Sequence, residues 1–139
     1  MIQEVGIFFN GILLINREYN SPEENQSDKF LIFSLISALE TFFRTIFSQE
    51  LEYIKGERSV LIISKEIIKS PESNHVYRLI AYVIIDNDIR GIDNYIKRII
   101  TPRLGELLNQ FRNQYPDLNF NNVNKYSNFE KKIDKIFKY

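Results

Sequence analysis

The 139-residue chain contains no cysteine, which excludes a disulfide framework, a thiolate nucleophile and any sulfur-ligated metal centre. Histidine is scarce too: the single His75 stands beside Asn74 in a polar stretch, too isolated for a zinc site or a general base, and is expected in solvent. Neither sign of charge is in excess. Lys plus Arg and Asp plus Glu both total 18, so no global field draws the protein to nucleic acid or anionic lipid. Gly6, Gly11, Gly56, Gly91 and Gly105 are scattered, and none builds a phosphate-cradling loop. No apolar run approaches the ~18 residues of a membrane span. Gln3 and Glu4 stand where a secretory signal would carry basic residues, so the expected location is the cytoplasm.

What the chain does have is apolar bulk. Hydrophobic residues make up 44%, with 11 Phe and 8 Tyr, enough for the core of one domain. A domain of this length buries roughly two thirds of the surface its unfolded chain exposes. Val5, Ile7 and Phe9 alternate with Gly6 and Phe8, so the first strand is apolar on both faces and belongs inside a covered sheet. Asn10-Gly11 follows, a strong hairpin signal because a type I′ turn requires positive φ at both central residues. Ile12 to Ile15 run back before the chain turns polar, and Asn20 to Ser27 read as a loop.

Asp28 can cap a long helix reaching about Phe47. At ~100° per residue, Leu31, Leu35, Ala38, Leu39, Phe42 and Ile46 gather on one side, extended by Ile32, Ile36, Phe43 and Phe47. This arc is about half the circumference, wider than the ~100° stripe that packing on one surface requires. Phe30 and Phe33 fall on the otherwise polar side with Ser34, Glu40 and Arg44.

Leu51 to Lys55 and Arg58 to Ser64 form a second hairpin, with Val60 to Ile63 apolar on both faces. A polar loop from Lys69 to His75 precedes a fifth strand, Tyr77 to Ile85. Ile92, Ile96, Ile99, Ile100, Leu107, Leu108 and Phe111 recur at helical spacing through about Tyr115, and Pro102 within that run predicts a kink or break near Thr101. An Asn-rich link from Asp117 to Lys125 leads to Ser127-x-x-Glu130, a capping box opening a last helix with Phe129, Ile133, Ile136 and Phe137 on one face.

The order strand, strand, helix, three strands, helix, helix, with strands that need cover on both faces, implies one layered α+β domain over residues 1–139. A five-stranded antiparallel sheet would carry the first helix on one face and the last two on the other. The GIFFNGILLI hairpin, the KFLIFSLISALETFF helix, the strands around KGER, and YRLIAYVIIDND feeding the second helix resemble a longin domain in order and hydrophobic pattern. Roadblock domains share the sheet but begin with a helix, which is the ground for choosing longin. Pro102 and the Asn-rich link depart from the pattern. The resemblance implies a non-catalytic module without cofactor in small-GTPase-linked or vesicle-trafficking-like assemblies. Such a module pairs with another longin or roadblock domain, or binds a GTPase or peptide. The rival readings are a roadblock-like homodimeric regulator of a small GTPase and a small-molecule sensor. A sensor needs a sizeable pocket, which strands apolar on every face argue against.

Asp86-Asn87-Asp88-Ile89-Arg90-Gly91 begins like a calcium loop, but Arg90 and Lys97 stand where two oxygen ligands are required, so no metal is expected. Lys125, Lys131, Lys132, Lys135 and Lys138 bias the C-terminal helix toward basic, diluted by Glu130 and Asp134. A solvated face is the simple meaning, and weak attachment to a membrane surface is the functional alternative. The first helix is the informative surface, because a contiguous apolar patch on a soluble protein marks an interaction site. The expected contact residues are Phe30, Phe33, Phe43 and Phe47 on that helix, with Ile12 and Ile15 on a second strand that the longin resemblance places at a sheet edge. Either a homodimer or a heterodimer would satisfy them.

Overall fold

Asn10 and Gly11 hold φ of 50° and 79°, the paired positive values of a type I′ turn. They join β1 (Ile2–Phe9) to β2 (Ile12–Glu18). The computed structural model describes residues 1–19, 29–69, 75–117 and 123–137, with 29–34, 123 and 124 described by backbone alone. After the hairpin come α1 (Lys29–Phe47), β3 (Tyr53–Lys55), β4 (Ser59–Lys69) and β5 (Val76–Asp86). Next, α2 (Ile92–Tyr95) runs through a π-helical turn (Ile96–Ile100) into α3 (Thr101–Gln114), and a 3₁₀ helix (Val123–Phe129) leads into α4 (Glu130–Phe137). Among the described residues, no helix is long and apolar enough to cross a membrane.

The strands form one open antiparallel sheet of five, in the order β2-β1-β5-β4-β3. The three strands that read as apolar on both faces are the three central ones. Because successive side chains point to opposite faces, Val5, Ile7, Val60, Ile62, Leu79, Ala81, Val83 and Ile85 look one way and join Ile96, Ile100, Leu104, Phe111, Phe129 and Ile133 in the larger core cluster. Phe8, Ile63, Ile80 and Tyr82 look the other way and join Ile36 of α1 in the smaller one. The larger cluster is finished by rings: Phe111 stacks on Phe129 with centroids 5.2 Å apart and an interplanar angle of 14°. Tyr126 sits 5.4 Å from the same ring.

Three local expectations are corrected. β4 and β5 run for 11 residues each, in unbroken register from Ser59↔Asp86 to Lys69↔Val76, so β4 outlasts the apolar stretch ending at Ser64. The polar pair Lys65-Glu66 remains in the strand because β5 supplies its ladder. Of the kink or break expected near Thr101, the break is overturned, while the helix does change its winding just ahead of Pro102. The Thr101 N–H donates to the Ile96 carbonyl, five residues back, while Ile100 and Thr101 keep right-handed helical dihedrals. A wider turn just ahead of proline accommodates a residue that lacks an N–H and crowds the preceding turn. Ser127, finally, lies inside the 3₁₀ helix, and α4 itself starts three residues later at Glu130.

Gly6 is where the sheet admits no side chain. It faces Tyr82 across the β1–β5 pair, and a Cβ there would lie 2.5 Å from the Tyr82 hydroxyl and 2.6 Å from its ring carbons. The Tyr82 phenol donates to the buried Glu4 carboxylate. Burial, then the Glu4 charge, hold it well above its ordinary pKa.

Candidate interaction surface

The arc of α1 is divided between two environments. Ile36 is buried on the sheet, and Leu39 and Phe43 pack half-buried beside it. Leu35, Phe42 and Ile46 are 58%, 50% and 60% exposed, and Ala38, Thr41 and Thr45 lie with them in solvent. At helical spacing these residues make one continuous outer stripe. Phe42 packs edge-on against Phe43 and Phe47 at 6.1 and 5.9 Å, so the stripe ends in an aromatic cluster that is partly exposed.

What sets the helix in this orientation is Glu40, only 1% exposed although it belongs to the polar side of the sequence pattern. Its carboxylate accepts from Lys65 of β4 and, at 3.3 Å to each oxygen, from Arg44 one turn along α1. Arg78 of β5 adds an ion pair at 3.8 Å, with its Nε buried and without a hydrogen-bond partner among the described residues. Lys65 also reaches the exposed Glu50 at 3.4 Å. A carboxylate buried among three cations would be prohibitively costly if unpaired and is tolerable only because it is paired. The sheet therefore takes the Glu40 side of α1 together with half of the apolar arc, and the other half is left outside.

The expected contact residues separate accordingly. Phe47 is exposed, and Phe43 is half-buried against the smaller core cluster. The side chains of Phe30 and Phe33 lie outside the described residues. Ile12 on the edge strand β2 is exposed, but Ile15 is a core residue at 5% exposure and forms no part of a surface. Leu35, Ala38, Phe42 and Ile46 lie within the principal apolar side of the sequence pattern, yet they form the outer stripe. The width of the arc carried that signal, whereas its phase pointed the wrong way.

Elsewhere the side chains are occupied by the fold. Asp86 accepts from Gln3 at 2.5 Å, and the Asn87 side chain donates to the Gly56 carbonyl at 2.7 Å. Asp93 is held below the ordinary carboxylate range by hydrogen bonds from Lys55 first and Tyr53 second. Among the described residues, no cluster of His, Asp and Glu is arranged to hold a metal. His75 is exposed. On α4, Glu130 and Asp134 turn toward β2 and pair with Arg17 at 3.4 and 3.0 Å, while Lys131, Lys132 and Lys135 face outward. Lys138 lies outside the described residues. No protein-family model matches the chain, and no curated protein or solved structure does either.

Proposed function

We propose that the protein is a non-enzymatic interaction module of the longin type, pairing through the outer face of α1 with a second domain of like architecture in a small-GTPase-linked or trafficking-like assembly. The observation that carries the reading is the solvent-facing stripe Leu35, Ala38, Phe42 and Ile46 on a helix whose opposite side is locked to the sheet by Glu40. Support for the longin likeness comes from the β-β-α-β-β-β-α-α order, with α2 and α3 taken as one continuous run, and from the division of α1 and α3–α4 between the two core clusters. Partly exposed aromatics at the centre of an apolar patch are the residues whose truncation costs an interface most, about 2 kcal/mol or ~30-fold in affinity.

Sedimentation velocity of the purified chain, with cross-linking mass spectrometry in native cells, tests the reading. Phe42→Glu should abolish the pairing while leaving the circular dichroism spectrum unchanged. A monomeric wild type whose cross-linked partners engage faces other than α1 sinks the proposal.

A further inference from the structure

β3 covers only the first part of β4. Tyr53–Lys55 pair with Val60–Ile62, and the Ile63 N–H still donates to the Glu52 carbonyl at 2.9 Å, but β4 continues to Lys69. That last bond gives the direction of the backbone. Residues 63, 65, 67 and 69 turn their N–H and C=O groups away from β5, toward the space where a longer β3 would lie. Among the described residues, nothing bonds the backbone of Lys65, Ile67 or Lys69 on that side. An open edge of this kind is a template for another extended chain.

The side chains along the edge define what fits. Ile67, at the middle, is 51% exposed on the α1 face. Lys65 and Lys69 flank it on the same face by strand alternation. Lys65 is committed to Glu40, whereas Lys69 is exposed and has no ion-pair partner among the described residues. On the opposite face Glu66 is held by Arg112 at 3.8 Å. Just ahead of β3, a groove of about 650 Å³ opens beside Tyr53, Ile63 and Thr101, and Lys97 stands at its wall with Glu52. A second copy is the wrong occupant. The antiparallel register that would satisfy all three outward residues, centred on Ile67, sets Lys65 directly opposite the other copy's Lys69, and like charges across a strand pair are destabilising.

We infer that the free edge of β4, from Lys65 to Lys69, binds an extended segment of a partner protein as an added antiparallel strand, with an apolar residue opposite Ile67 and an acidic residue opposite Lys69. Main-chain hydrogen bonds supply affinity, and the alternate side chains supply selectivity. The site is separate from the outer face of α1 and does not rest on the reading given to that face.

The probe is a capped, fluorescein-labelled peptide, Glu-Thr-Val-Thr-Glu, whose valine exchanges both backbone hydrogen bonds with Ile67 in the antiparallel register, followed by fluorescence anisotropy. Binding should saturate and should weaken about tenfold or more when the valine amide is N-methylated, when Lys69→Glu reverses the charge, and in Ile67→Pro. Proline removes one outward donor at an edge position that tolerates it. Phe42→Glu should bind the probe as the wild type does, whatever becomes of pairing through α1. Absence of saturable binding, equal binding of the N-methylated peptide, or self-association of the wild type that Ile67→Pro abolishes would each overturn the inference.

Discussion

Glu40→Ala distinguishes the observed setting of α1 from the one its polar pattern implies. The substitution removes the carboxylate that, alone among the described residues, reaches Lys65, Arg44 and Arg78 together. Lys65, 9% exposed, keeps Glu50 alone among the described residues, and Glu50 is itself largely in solvent. Breaking a buried ion pair from one side costs about 3–5 kcal/mol. Arg44 and Arg78, about a third exposed, can extend toward water, so the lower end of that range applies, about 3 kcal/mol. For a chain of this size the loss lowers the melting temperature by roughly 10 °C. Replacing both partners, Glu40→Leu with Lys65→Met, should recover part of it, because the most deeply buried cation then goes with its carboxylate while Arg44 and Arg78 extend toward water. Phe42→Glu, on the outer stripe, loses only its ring contacts with Phe43 and Phe47 and should change stability by about 1 kcal/mol. Urea unfolding followed by circular dichroism measures all three. A neutral Glu40→Ala together with a Phe42→Glu variant that loses several kcal/mol would refute the reasoning and place the Phe42 side of the helix on the sheet.

Two further perturbations address the α1 face of the sheet. Gly6→Ala drives a methyl group into the Tyr82 ring and should destabilise by about 1–3 kcal/mol, read as a fall in melting temperature with the secondary structure retained. Tyr82 titrates far higher folded than unfolded, so the stability it contributes is fully present below the unfolded value near 10 and is lost as pH rises from there through the folded value. Unfolding free energy should therefore fall above pH 10 by up to about 1.4 kcal/mol per pH unit from this group, and Tyr82→Phe should remove that component of the slope. A Tyr82 phenolate absorbing near pH 10 in the native state would show the ring to be accessible.

Local chemistry alone made much of the fold legible. Asn10-Gly11 dictates its turn through positive φ, and the two-sided apolar strands β1, β4 and β5 had to be central because neither face could be left to water. The helices followed from their periodicity, and Phe129, Ile133, Ile136 and Phe137 are buried as their spacing implies. Tertiary structure decided what periodicity cannot express. The length of β4 depends on β5 pairing with Lys65 and Glu66, residues whose own polarity argues for a strand end. The winding ahead of Pro102 depends on a carbonyl five residues back accepting the Thr101 N–H. Above all, an apolar arc half a helix wide determines that α1 buries something but not which half of it. That phase is set by Lys65 and Arg78 on two different strands, since a buried carboxylate must meet its cations and the rest of the helix turns with it.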